Sequence, residues 1–201
     1  ELEAINFQLP KQIIEKTKNN NIKVILFGSF FEKEKKSYMF NYVSSKRKLS
    51  NYLKNLDNKN IYHLTLEHIY GKYDRLNKFI PSVVGNIKER KKILLNSPNN
   101  IRDFTPVDHV VNFCKIIKDS GYKNNFINVG CGMPQTTLNF INKLIDYYAT
   151  KNGYSVNEIK SLIEIKKSNI SSIKKSFCSF PNLIDSFTKD YFNTLEDKAI
   201  K

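Results

Sequence analysis

The sequence predicts an α/β fold built on a parallel sheet. Two observations carry that prediction. Short runs of apolar, largely β-branched residues alternate along the chain with longer amphipathic stretches, and the first such run closes on a glycine, as a buried parallel strand does. With 201 residues, 40% hydrophobic and 12% aromatic, the chain is long enough to bury one sizeable core.

The elements follow in order. Leu9 to Asn21 has a helical pattern with Ile13 and Ile14 on its apolar face, and the asparagine triplet Asn19 to Asn21 stops it. Ile22 to Phe27 reads as a strand ending at Gly28. Asn41 to Leu56 is the next helix, with Leu49, Tyr52, Leu53 and Leu56 sharing one face, and Ile61 to Leu66 the next strand. A polar loop after Tyr70-Gly71 leads into a helix over Phe79 to Arg90 with Pro81 in its first turn. Ile93 to Leu95 and Phe104 to Val107 are short strand candidates. Asp108 is expected to cap a helix through Ile117, and the strand Phe126 to Val129 precedes a helix over Thr136 to Tyr148. Beyond Asn152 lysine and serine rise and the apolar pattern weakens, which reads as two or three surface helices.

Charge and rare residues narrow the function classes. Lysine and arginine total 33 against 19 acidic residues, a net charge of +14. That balance suits a polyanion, but the cations are spread along the chain and most aromatics fall in apolar runs, which argues against a nucleic-acid partner. Cys114, Cys131 and Cys178 are too far apart for a metal knuckle, and His63, His68 and His109 show no ligand spacing, so no metal is expected. Three scattered cysteines imply a reducing, cytoplasmic setting, and no apolar run is long enough to span a bilayer.

The chemistry-bearing constellation begins at Tyr42-Val43-Ser44-Ser45-Lys46. A spacing of four puts phenol and ammonium on one helical face. An ammonium so held favours the phenolate, so the tyrosine can exchange a proton with a carbonyl oxygen at neutral pH, as hydride transfer to that carbonyl requires. Ser29, at the end of the preceding strand, adds a second hydrogen bond to the same oxygen. Tyr147 and Lys151 repeat the spacing, but at a helix end followed by polar sequence, where a half-buried aromatic is the better reading.

Around this constellation stand Phe27-Gly28-Ser29, Leu66-Glu67-His68-Ile69-Tyr70-Gly71, Lys78-Phe79-Ile80-Pro81, Ile101-Arg102-Asp103-Phe104 with Val107-Asp108, and Asn128-Val129-Gly130. In this order and spacing they resemble the extended short-chain dehydrogenase/reductases, over roughly residues 5 to 148. Ser29-Phe30-Phe31 and Leu66-Glu67-His68 are most similar to the CDP-sugar 4-ketoreductases that make 3,6-dideoxyhexoses such as abequose and paratose. The resemblance implies a Rossmann-like parallel sheet, incomplete at the N-terminus, with a small C-terminal substrate-binding subdomain. It implies NADP or NAD as cofactor and a nucleotide-linked 4-keto-6-deoxy sugar as substrate. Ser29 then orients the carbonyl, Tyr42 donates the proton and Lys46 also holds the nicotinamide ribose, with Phe27 and Gly28 beside the cofactor. His68, Phe79, Ile80 and Pro81 fall to the substrate side, and Arg102 to the pyrophosphate, a job that suits its planar fork. Phe30 and Phe31 stand where a dehydratase needs an acidic pair. An epimerase using the same three residues stays open, as does a homodimer through helices that include the tyrosine-bearing one.

Dinucleotide-binding proteins of this class begin with a strand, a glycine-rich turn and a helix. The nearest look-alike here, Gly130-Cys131-Gly132-Met133-Pro134-Gln135, lacks the third glycine and comes late, where relatives have a structural turn. The chain therefore reads as the carboxyl-terminal two-thirds of such an enzyme, either a fragment or a non-catalytic remnant. Residues 1–67 would be the second half of the dinucleotide-binding domain, 68–150 a mixed substrate-binding subdomain with returning Rossmann elements, and 151–201 a helical extension. The 201 residues alone are expected to bind cofactor poorly and to leave a sheet edge open. Thr65 departs from the arginine that relatives commonly carry in the second strand.

Overall fold

A computed structural model of the chain describes residues 1–33, 40–71 and 73–166. Among these, two compact units form: one from Glu1–Glu67 with Val110–Gly130, the other from His68–His109 with the described residues from Cys131 on.

The first unit holds a three-stranded parallel sheet of β1 (Val24–Ser29), β2 (Ile61–Leu66) and β7 (Phe126–Val129), with β2 in the centre. Gly28 is in register with Thr65, and Thr65 with Asn128. Side chains alternate across a strand, so Ile61, His63 and Thr65 share one face of β2. On that face a π-helical turn (Ala4–Gln8) runs into α1 (Leu9–Thr17), and with α2 (Phe40–Lys54) closes a core of Ile14, Leu49, Leu53 and Ile61. The opposite face takes Tyr62 and Leu64. Tyr62 Oη accepts the N–H of Tyr122 just past α4 (Val107–Ser120), and Lys23 Nζ donates to the carbonyls of Ile117 and Lys118 at the end of that helix. Strand β1 thus starts two residues later than the apolar run suggests, because Ile22 is exposed and Lys23 is spent on capping α4.

The second unit pairs β3 (His68–Tyr70) with β6 (Phe104–Pro106) and β4 (Ile93–Leu95) with β9 (Ile163–Ile165), both parallel, and β5 (Ile101–Arg102) with β8 (Gln135–Thr136) antiparallel. Its core forms where α3 (Phe79–Lys88) and α5 (Thr137–Asn152) bring Ile80, Val84, Phe140, Ile141 and Leu144 against Phe104 and Leu95. Thr136 caps α5 by accepting the Asn139 N–H, and Gly153 at φ 68° ends it. Asp108 lies inside the first turn of α4 instead of capping it. Past Asn152, among the described residues, only α6 (Val156–Lys160) is helical, and β9 is a strand where a helix was expected. The rest of that expected helical extension, with Cys178, lies outside the described residues.

Candidate active site

Strand β1 ends on the three residues that the resemblance singled out, and α2 brings Tyr42 and Lys46 to the same place. Lys46 Nζ donates to the Phe27 carbonyl oxygen at 2.9 Å and stands 6.0 Å from the centre of the Tyr42 ring. One ammonium thereby ties the helix to the strand end. Burial pulls this lysine below its usual range, and the Glu32 carboxylate partly restores it. The first turn of α2 is held in turn: the Ser45 hydroxyl donates to the Tyr42 carbonyl at 2.8 Å and accepts from Asn6 Nδ2 at 3.2 Å.

Ser29 is fixed from both sides. Its N–H donates to Glu32 Oε1 at 2.7 Å, and its hydroxyl oxygen accepts the N–H of Phe31 at 3.4 Å, which leaves the hydroxyl proton to be given elsewhere. Glu32 lies almost wholly buried next to His63, whose Nε2 is 3.7 Å from Glu32 Oε2. Burial raises the Glu32 carboxyl and pushes His63 down to about 4, helped by the positive charges of Lys46, Lys54 and Lys33. At neutral pH the imidazole is neutral, so this approach is not an ion pair. Gly28 is required here: a Cβ would come within 2.5 Å of the His63 ring and 2.7 Å of Glu32 Oε1.

In the second unit, His68 and Phe79 meet at Phe104. The His68 ring lies edge-on to it at 5.8 Å and Phe79 stacks on it at 6.5 Å, while Phe104 stacks on Phe140 at 4.0 Å. Phe79 is largely exposed, whereas Ile80 and Pro81 point into the core of that unit. Arg102, on β5, donates from Nη1 to the Ile101 carbonyl. Asp103 is buried and accepts the N–H groups of Cys131 and Gly132 at 3.1 and 2.8 Å. A carboxylate thus occupies the turn that imitates a phosphate loop, which makes it structural. Gly71 is explained likewise, since a Cβ there would meet Val107 at 2.3 Å.

Sequence reasoning missed Glu32, His63 and the role of Asp103. The spacing Ser29-x-x-Glu32 hints at a side chain folding back on the serine amide, but nothing in the sequence pairs residue 32 with residue 63. Among the described residues there is no group of three or more histidine, cysteine or acidic side chains able to hold a metal, and no helix long and apolar enough to cross a membrane.

The architecture is Rossmann-like and is shared with solved nucleotide-sugar enzymes. The UDP-N-acetylglucosamine 4-epimerase from Methanobrevibacter ruminantium M1, in complex with UDP-N-acetylmuramic acid, matches with a TM-score of 0.67 at 19% identity, covering 98% of this chain and 64% of that one. The dTDP-glucose 4,6-dehydratase from Bacillus anthracis str. Ames, in complex with NAD, matches with a TM-score of 0.57 at 20% identity, covering 79% and 53%. Residues 1–130 match the NAD dependent epimerase/dehydratase family, and the chain belongs to that family. Among curated proteins it is similar to the CDP-abequose synthase of Salmonella muenchen, 32% identical over 136 residues, which is 63% of this chain and 46% of the relative. The CDP-abequose synthase of Salmonella typhimurium strain LT2 is 34% identical over 90 residues, 42% of this chain and 30% of the relative. The matched stretch spans less than half the length of either relative.

Proposed function

We propose that this protein is an NAD(P)-dependent oxidoreductase that reduces a nucleotide-linked 4-keto-6-deoxy sugar, with Ser29, Tyr42 and Lys46 as its catalytic residues. The observation that carries the reading is the Lys46 ammonium, bonded to the Phe27 carbonyl at the strand end that carries Ser29 and standing 6.0 Å from the centre of the Tyr42 ring. The likeness to two CDP-abequose synthases favours a 4-keto sugar on a nucleotide as substrate, in polysaccharide biosynthesis.

The donor set fits a nicotinamide cofactor: a positioned ammonium for ribose hydroxyls and a half-exposed phenol one helical turn away. A bound nicotinamide cofactor supplies the hydride. Ser29 Oγ donates a hydrogen bond to the substrate carbonyl oxygen and orients it. As the carbonyl carbon gains hydride, Tyr42 gives its phenolic proton to that oxygen, and the Lys46 ammonium stabilises the phenolate left behind. Phe27 and Gly28 form the strand end beside the cofactor. His68, Phe79, Ile80, Pro81 and Arg102 form the substrate side, with Arg102 toward the pyrophosphate and Ile80 and Pro81 acting from the core beneath Phe79. The protein works as a homodimer through α1 and α2, a reading supported by the exposed apolar residues Leu2, Ile5, Leu9 and Ile13.

The test is turnover of the full-length protein on a CDP-linked 4-keto-6-deoxy sugar. Stoichiometric oxidation of NADPH or NADH is expected, and Tyr42→Phe should lower kcat by about a hundredfold or more with cofactor affinity nearly unchanged. Equal activity in the variant counts against the mechanism. Sugar interconversion without net consumption of cofactor marks an epimerase instead.

A further inference from the structure

On the face of the sheet that α2 covers, α2, β2 and β7 leave a cleft of about 380 Å³, within the size range of small-molecule sites. Its wall carries three cationic side chains, Lys33, Arg47 and Lys54, against one carboxylate, Glu32. Arg47 and Lys54 are two turns apart on one side of α2. Arg47 is aimed by its Nε, which donates to the Glu32 carbonyl oxygen at 2.6 Å; its two terminal amino groups have no partner among the described residues. The Lys54 ammonium has no hydrogen bond or ion pair among the described residues, whereas Lys33 donates to Asn128 Oδ1 at 2.5 Å.

The second observation is His63, which lines the same cleft. Its side chain is 2% exposed, and neither ring nitrogen has a hydrogen-bond partner. Buried polar groups are nearly always bonded, and leaving one unbonded is costly. Glu32 does not satisfy the ring: its Oε1 is taken by the Ser29 N–H, and Oε2 stays 3.7 Å from Nε2. Thr65, in the register position next to Gly28, is short and leaves the cleft open where a longer side chain would fill it.

We propose that this cleft binds a phosphate-bearing small molecule, its oxygens taken by the Arg47 guanidinium, the Lys54 ammonium and the His63 ring. A planar two-pronged donor beside a point charge is a pairing suited to phosphate. The site is separate from the reaction proposed at Tyr42 and stands or falls independently of it.

Inorganic phosphate is the probe. In the full-length protein, ~10 mM phosphate should raise the melting temperature by about 2–4 °C over chloride at equal ionic strength. The gain should vanish in Arg47→Gln/Lys54→Gln, be reduced in Lys54→Gln alone, and persist in a control that removes two cations elsewhere, Lys91→Gln/Lys92→Gln. Lys54 is exposed and unpaired, so its single variant keeps the fold and reports on the site even if the double variant does not fold. No phosphate-specific gain, or the same gain with Lys54→Gln as with the unaltered protein, overturns the proposal. Tyr42→Phe should leave the gain intact, so loss of the enzymatic reading would not be mistaken for loss of the site.

Discussion

At the scale of single residues, the strand end is organised by a neutral imidazole and a buried carboxyl packed against Gly28. The imidazole has a consequence for stability. His63 is pushed from 6.5 to about 4 by burial and by the facing cations Lys46, Lys54 and Lys33, so between those values the unfolded chain binds a proton that the folded chain refuses. Folding is therefore favoured by this group above pH 6.5, and the contribution is lost as pH falls toward 4, by about 3 kcal/mol in order of magnitude. Glu32 is shifted upward by burial and acts in the opposite sense above 4.5, offsetting part of the loss. In phosphate-free buffer, the urea midpoint of the unaltered protein should drop more between pH 7 and pH 4.5 than that of His63→Leu. Parallel pH profiles for the two would contradict the buried neutral ring. The site itself was legible only where spacing in sequence equals proximity in space. Tyr42 and Lys46 are one helical turn apart, so a helix brings them together by itself. Glu32 comes from the short 3-10 turn Phe30–Lys33 after β1 and His63 from the next strand, and they meet only through the register of β1 on β2, which no periodicity encodes.

At the scale of elements, the same contrast separates strands that could be read from those that could not. Ile61–Leu66, Ile93–Leu95 and Phe126–Val129 have the bounds that their apolar runs predict. β5 and β8 are two residues each and carry no pattern, and β9 alternates isoleucine with glutamate amid lysines that mask it, so each exists only through its partner strand. Helix ends were displaced where tertiary bonds decide: α4 runs on to Ser120, where Lys23 bonds its last carbonyls. The N-terminal helical stretch shows an element whose surface remains unexplained within one copy. Ile14 is its buried side, but Leu2, Ile5, Leu9 and Ile13 form an exposed stripe at three- and four-residue intervals, each about half accessible. If a second copy covers that stripe, Ile5→Glu/Ile13→Glu should convert the full-length protein from dimer to monomer in sedimentation velocity, with little change in circular dichroism. A dimer of unaltered strength would remove α1 from the interface.

At the scale of the whole molecule, the described sheet stops at β1, which is paired with β2 on one side only. Leu26 and Val24 turn into the helical core, and Phe27, on the other face, is 45% exposed. An apolar strand with an unpaired edge is a template for another strand. Against association stands the net charge of +14, whose self-repulsion is long-ranged at low ionic strength and confined to about 10 Å near 0.1 M salt. The two forces differ in salt dependence: screening weakens the repulsion, while edge pairing and apolar burial are little affected. The 201-residue chain produced by itself should therefore grow in mean mass beyond a dimer as salt is raised from about 10 mM to 0.3 M, a range over which the screening length shrinks severalfold. Phe27→Lys, which sets a charge on the open strand and leaves the backbone carbonyl to Lys46, should suppress that growth, whereas the Ile5→Glu/Ile13→Glu change should not. Static light scattering against salt separates the cases, and growth that ignores Phe27→Lys would locate the adhesive surface elsewhere than on β1.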